Sequence, residues 1–498
     1  MTSSFEVLRV ARRAGREGNL SQALSLYARV IIDDPAQAEA LHFFGILSDD
    51  PMRSDNCLEW VERSLCLSGG SHVFLNNKAL ALQRRNRFED SIESVQLALA
   101  FKSDFAQAFL TLGHARKELK QYSDAVKAYE KALTLEPEAY PAYEHLSFCY
   151  DYPHGLARRL RVLEQAHALA PDQPDVSYGL GLYCLLRGRF SEGWDLMQYR
   201  WQASHIKDDP NFSKPLELAA PMFSPSLRGG RVFIWAEQGI GDEIMFYSLL
   251  QEFISKFSVE VVAQADSRLM PIWQRSLPAV KFIERSQLPI PQAYSSHLPS
   301  GDLPRLLRRS MVDFDTGGRS FITPDPGRKD ILASLLKTSN KPVIGISWHS
   351  SNGASRCVPL ADLVSVLASL EVTVINLQYG DHAQEIAAVE AGIGRSLFVN
   401  TGIDCRNDME GLAALMSCCD LVISIANSTV HLAGALGVRT WALLPFFPGW
   451  RWLHDGEQNL WYRSVRLLRQ HQMGDWSQVL ENIDLDLKKE FTIRRSES

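Results

Sequence analysis

Small residues recur along the first two hundred positions with a period of 34. Ala11, Gly45, Ala79, Gly113, Ser147 and Gly181 form one row, and Ala23, Cys57, Ser91, Ala125, Arg159 and Gly193 form a second. A third row, Tyr27, Val61, Val95, Tyr129, Leu163 and Met197, is large and mostly apolar. Helix terminators keep the same step at Pro35, Gly69, Ser103, Pro137 and Pro171. Small side chains where two helices touch, and large ones where the next helix packs, predict about six stacked helix pairs over residues 1–203, the second and sixth degenerate. Residues 204–227 carry Pro210, Pro215, Pro221 and Pro225, which end the helical pattern as a linker. Short apolar runs then alternate with amphipathic stretches: RVFIWA (231–236), VEVVAQA (259–265) and KFIE, and later VIGISW (343–348), VTVINLQ, LFVN, LVISIA, TWALLP and VRLLRQ. That alternation predicts βαβ units and parallel sheets in two blocks, 228–325 and 341–470. The corresponding halves are taken as 228–330 and 331–498, the second closing with a helix. Facing sheets of this kind place a cleft between the carboxyl ends of their strands.

The 34-residue rows are those of tetratricopeptide (TPR) repeats, clearest in FLTLGHARKELKQYSDAVKAYEKALTLEP, 109–137. The fold class is therefore α + α/β: a TPR α-solenoid followed by two Rossmann-like domains. The groove of such a solenoid usually binds a peptide or protein, so a protein partner is expected. Asn76, Asn77 and Lys78 fall on a groove-lining first helix, with ordinary solvated polar residues as the alternative.

Length and charge narrow the class. At about 150 residues per domain, 498 residues suit three domains. A net charge of −6 lacks the basic excess of a nucleic-acid protein. The eight cysteines include no CxxC pair, and a vicinal Cys418–Cys419 is poor disulfide material, which points to a reducing compartment. The start lacks an apolar signal core, and no run reaches about 18 apolar residues, so a cytoplasmic protein without a membrane span is expected. Several of the 11 tryptophans fall at strand ends (Trp235, Trp348, Trp441) or on the loop after TWALLP (Trp450, Trp452).

WAEQGIGDEIMFYSLL and SIANSTVHLAGALGVRTWALLPFFPGWRW resemble the two signatures of TPR-linked GT-B glycosyltransferases related to the lipopolysaccharide heptosyltransferases. Within that family the chain is most similar to the cytoplasmic bacterial proteins that glycosylate flagellin. The resemblance implies a GT-B fold with an acceptor-side half (228–330) and a nucleotide-sugar half (331–498). It implies inverting, metal-independent transfer of a sugar to Ser or Thr of a protein held by the TPR domain; for flagellin the donor would be a CMP-linked nonulosonic acid. In the loop QGIGDE, Asp242 matches the general base, with Gly239, Gly241 and Glu243 on the same acceptor-side loop and Glu237 and Glu243 as reserve bases. The alternative for Asp242 is a helix cap. In WHSSNGASRCVPL, Arg356 matches the residue that contacts the donor phosphates, the alternative being a solvated loop arginine; Ser350, Ser351 and Asn352 are hydrogen-bonding candidates. Gln378 and Tyr379 end a strand where the nucleotide lies in such folds. Asn427, Ser428 and Thr429 open a helix whose amides suit a phosphate, and His431 lies one turn in. Trp450, Arg451 and Trp452 fit the family's aromatic loop near the cleft.

Ala426 departs from the pattern, which has an acidic residue there; Asp408 or Asp420 would have to compensate. HxxH, ExxH and DxD spacings are absent at the two cleft loops, so neither a metal nor a cofactor is expected beyond the nucleotide-sugar co-substrate. Two other readings remain at this stage. One is a transferase acting on a lipid-linked or surface glycan, hinted at by RLLRRS (305–310). The other is a non-catalytic TPR scaffold with a decayed GT-B domain, hinted at by Ala426.

Overall fold

The computed structural model describes residues 4–48, 56–150, 155–207, 218–227, 229–290, 293–314, 320–336, 341–350, 356–394, 396–399 and 401–496. Ser351, Asn352, Pro210 and Pro215 lie outside them. The chain divides into two compact units, Met1–Val176 and Ser177–Ser498.

The first unit is built of helix pairs: Ser4–Arg16 with Leu20–Asp33, Ala38–Leu47 with Asn56–Ser68, His72–Gln83 with Phe88–Phe101, Ala106–Glu118 with Tyr122–Leu135, and Tyr140–Ser147 with Leu156–Leu169. The 34-residue rows are its interior. Ala11, Ala23, Ala79, Ala125, Val61, Val95 and Tyr129 are fully buried. A β-carbon on Gly45 would come within 2.8 Å of the Trp60 Cβ, and one on Gly113 within 2.6 Å of the Tyr129 ring. The row breaks at Arg159, which is only half-buried and lays its guanidinium 5.1 Å from the Phe148 ring centre. Polar residues on the first helices join neighbouring repeats. The Asn77 amide lies 2.9 Å from the His42 ring, Lys78 pairs with Glu62 at 2.8 Å, and Gln83 donates to the Thr111 carbonyl at 2.8 Å. Asn77 and Lys78 thus serve repeat stacking. Burial holds the His42 and His145 imidazoles down at about 4.

The second unit begins inside the helix Pro174–Leu186, so the last helix pair, completed by Phe190–Leu196, belongs with the α/β portion. The reason lies in its polar anchors. Trp194 Nε1 donates to the Arg308 carbonyl at 2.8 Å, and Arg309 pairs with Asp195. Arg200, 1% exposed, pairs with Glu237 at 2.9 Å and Asp302 at 2.8 Å. These contacts also account for the RLLRRS basic run. Arg305, Arg308 and Arg309 pair with Asp302, Glu252 and Asp195, so the run is committed to carboxylates within the unit.

Two all-parallel sheets follow. The first runs β3-β2-β1-β4, with β1 Arg231–Trp235, β2 Glu260–Ala265, β3 Val280–Glu284 and β4 Ser296–Pro299. The second runs β10-β9-β8-β5-β6-β7, with β5 Val343–Ser347, β6 Thr373–Asn376, β7 Phe398–Val399, β8 Leu421–Ile425, β9 Thr440–Leu444 and β10 Val465–Arg469. The alternation of apolar runs anticipates every strand but β4, whose SHLP is neither long nor apolar enough to register. β1, β5, β8 and β9 are buried along nearly their whole length, as strands covered on both faces must be. In each sheet the chain steps outward through two strands, then returns to the other flank of the first. The strand order therefore reverses at β1/β4 and at β5/β8, where loops diverge and leave a crevice at the strands' carboxyl ends.

Candidate functional site

A cleft of about 340 Å³ opens where those carboxyl ends meet. The loop after β1 contributes Gly239, Ile240, Gly241 and Asp242; the loops after β5 and β6 contribute Ser350, Arg356 and Tyr379. Ala426, Asn427, Ser428 and His431 follow β8, and Pro445, Gly449, Arg451 and Trp452 follow β9.

Gly239 has φ −67 and ψ 171, a conformation open to any residue, so conformational freedom is not what the turn needs from it. Gly241 matters for a different reason. A β-carbon there would sit 3.0 Å from His431 Cδ2 and 3.5 Å from Ser428 Cα. The helix Ile240–Tyr247 and the helix Ser428–Leu436 approach closely at this point, and both direct their N-terminal turns at the cleft. Unpaired N–H groups and the helix dipole make such turns favourable for negative charge.

Asp242 Oδ1 accepts a hydrogen bond from Arg451 Nε at 2.5 Å and is also paired with Nη2 of the same guanidinium. That Nη2 donates to Gln238 Oε1 at 3.1 Å, and the guanidinium lies 4.6 Å from the Trp450 ring centre. Trp450 in turn meets Trp194 edge-on at 5.1 Å. Arg356 stands half-buried in the same cleft with no carboxylate partner among the described residues. Burial, and then the positive charge of Arg451, press its guanidinium below the usual arginine range. The cleft thus holds two arginines and one carboxylate, an arrangement receptive to an anion.

Asn427 caps the Ser428 helix through Oδ1, which accepts from the Thr429 N–H at 3.0 Å, and its Nδ2 donates to Ser347 Oγ at 2.9 Å. It therefore fixes the end of β8 to the end of β5. Ser428 faces the cleft, whereas Thr429 is buried and does not line it. His431 forms part of the wall, its Nδ1 3.1 Å from the Tyr462 hydroxyl and its ring 5.1 Å from Trp452. Burial, reinforced by Arg451, holds its pKa down at about 3, so the ring is neutral at physiological pH.

Several sequence-predicted residues prove to be supports. Gln378 Oε1 accepts from Ser347 Oγ and from the Trp348 and His349 backbone amides at 2.8–3.0 Å, while its Nε2 donates to the Tyr379 carbonyl.

 This clamp shapes the loop after β5 and leaves that oxygen no role toward a nucleotide. Glu243 is buried and points away from the cleft, accepting from Trp273 Nε1 at 2.9 Å and pairing with Arg285 at 2.8 Å. Glu237 is fully buried against Arg200. Neither can serve as a reserve base, because neither reaches the cleft. Asp408 caps the helix Met409–Met416 and pairs with Arg328, and Asp420 accepts from the Val343 N–H at 2.9 Å, so neither stands in for the acid absent at Ala426. The ion pair of Arg451 with Asp242 was not legible in the sequence. PFFPGWRW marked the loop as aromatic, but 209 residues separate the partners. Among the described residues no cluster of three or more His, Cys, Asp or Glu is arranged to hold a metal ion, and no helix is long and apolar enough to cross a membrane.

A tetratricopeptide repeat model matches residues 106–138, and the first unit carries such repeats, a class of module that mediates protein–protein interaction. Protein FlbA of Caulobacter vibrioides is 28% identical over 437 residues, covering 83% of this chain and 72% of FlbA, so the similarity takes in both units. The Hsp70-Hsp90 organizing protein of Triticum aestivum is 31% identical over 74 residues, 15% of this chain and 13% of that protein. Among solved structures, YrrB, a TPR protein with an unusual peptide-binding site, is 15% identical with a TM-score of 0.29, covering 34% of this chain and 88% of YrrB.

Proposed function

We propose that the protein is an inverting, metal-independent glycosyltransferase of the GT-B type, which moves a sugar from a nucleotide-sugar donor to a Ser or Thr hydroxyl of a protein. The observation that carries this reading is the meeting, in one cleft, of a carboxylate on the loop after β1 with Arg356 and the start of the Ser428 helix on the other sheet. In this reading Asp242 takes the hydroxyl proton as the acceptor oxygen bonds to the anomeric carbon. The bond from that carbon to the donor phosphate breaks on the opposite face, its electron pair leaving with the phosphate oxygen. Arg356, with the N–H groups at the Ser428 helix start, balances the charge that develops there.

The TPR unit would hold the protein acceptor, and the similarity to FlbA across both units supports a shared two-part organisation. Flagellin, a CMP-linked nonulosonic acid donor and a cytoplasmic location are the particular acceptor, donor and compartment that the family resemblance suggests. The test is transfer in vitro from a panel of nucleotide sugars to flagellin, followed by mass spectrometry of the acceptor. Asp242→Asn should lower the rate about 10²- to 10⁴-fold, the usual contribution of general base catalysis. Undiminished transfer by that variant would remove Asp242 as the base. Ala426, on the cleft wall, favours the scaffold as the second reading; it would be adopted if calorimetry found no nucleotide sugar that binds.

A further inference from the structure

We propose that Arg451 is a positioning residue shared between Asp242 and a phosphate-bearing ligand, so that seating the ligand releases the carboxylate. This rests on the reading of the cleft as a nucleotide-sugar site. Oδ1 of Asp242 is engaged by two N–H groups of one guanidinium, so one of the two oxygens through which the carboxylate could meet a hydroxyl is taken. The same guanidinium is held by one further weak acceptor, Gln238, at 3.1 Å. Arg356 lines the same cleft, carries like charge and has no carboxylate partner among the described residues. An anion placed at Arg356 and the Ser428 helix start brings together two positive charges that otherwise repel, and draws Arg451 away from Asp242. Binding of the donor and exposure of the base then become one event. Arg451 holds Asp242 Oδ1 until the phosphate competes for the guanidinium, so an acceptor hydroxyl meets a carboxylate with both oxygens available only when donor is present. Trp450 supplies the signal, because the Arg451 guanidinium lies 4.6 Å from its ring centre.

The experiment titrates the full chain with CMP and, separately, with inorganic pyrophosphate, following tryptophan emission and confirming affinities by calorimetry. The two probes distinguish a nucleotide from a bare phosphate as the recognised group. Asp242→Asn removes the competitor and should tighten binding roughly two- to five-fold, within the range expected for a partly exposed ion pair. Part of any gain could come from deleting a negative charge near an anion, so the same substitution is repeated in an Arg451→Gln background. There the gain should largely vanish, and Arg451→Lys should restore part of it. Trp450→Phe should diminish the emission change, Trp452 on the cleft wall keeping a response of its own. Equal gains from Asp242→Asn in both backgrounds, or no gain in either, would overturn the proposal while leaving the donor site standing. Failure of every variant to bind either probe would overturn both.

Discussion

Arg200 offers the sharpest test of how the second unit is held together. It is 1% exposed and bridges two carboxylates, Glu237 at 0% and Asp302 at 5%. Glu237 is wedged so tightly that a β-carbon on Gly301 would fall 1.7 Å from its Oε1. Arg200→Met keeps much of the side-chain volume but strips Glu237 of its cation and leaves Asp302 only the longer pairing with Arg305 at 3.5 Å. Removing one partner of a buried ion pair costs about 3–5 kcal/mol, because the remaining charge stays out of water. With an unfolding entropy of about 2.1 cal/mol/K per residue, that corresponds to a fall of roughly 4–7 °C in the melting temperature of a unit this size. The pH dependence carries a definite sign. Burial already raises the Glu237 carboxyl above its ordinary range, with Arg200 opposing the rise. Without Arg200 the protonated form is favoured further, so the cost is felt most at high pH and is relieved as pH falls and Glu237 takes up a proton. Calorimetric scans of both proteins between pH 8 and pH 5 should show the gap narrowing. Adding Glu237→Leu and Asp302→Leu to the variant should recover most of the loss. A deficit below about 1 kcal/mol, or one that widens toward acid, would refute this account of the triad.

Other outcomes follow from the same geometry. Gly241→Val should clash with His431 and Ser428, lowering nucleotide affinity measured by calorimetry more than it lowers thermal stability. Asn427→Ala should cost about 1 kcal/mol in denaturant unfolding through loss of the helix cap, with a further penalty from Ser347 left without its donor. His42 and His145, held at about 4, stay neutral in the folded repeats while their unfolded counterparts protonate near 6.5. Their contribution is therefore complete above pH 6.5 and is lost as pH falls toward 4, and His42→Phe should flatten that decline in circular-dichroism melts. Gly113→Ala should destabilise the first unit by about 1–3 kcal/mol, since its β-carbon would press on the Tyr129 ring.

The sequence and the structure agree best where one residue's role depends on a repeated local environment. The 34-residue rows are legible because each copy solves the same packing problem, and the strands because burial on both faces demands an unbroken apolar run. What escapes is pairing across long separations. Glu243 reads like a loop acid beside Asp242, yet the roughly 100° step between successive helical residues sends its carboxylate to Trp273 and Arg285. Gln378 sits at a strand end, as a nucleotide contact would, but three donors from the neighbouring loop claim its oxygen. Arg451 gives no local sign of its partner. In each case residue type and position were readable, whereas direction depended on a third element that only folding supplies.

The anchoring of the last helix pair bears on how the chain can be dissected. A fragment cut at the proline-rich stretch, the natural choice from composition, would begin after Arg200, leaving Glu237 buried without a cation and Asp302 with Arg305 alone. It would also remove Trp194, and with it the edge-on support of the Trp450 ring beside the cleft. An autonomous α/β fragment must therefore carry its own piece of repeat, and the seam that evolution or an engineer can cut most safely lies inside the repeat array, upstream of the linker.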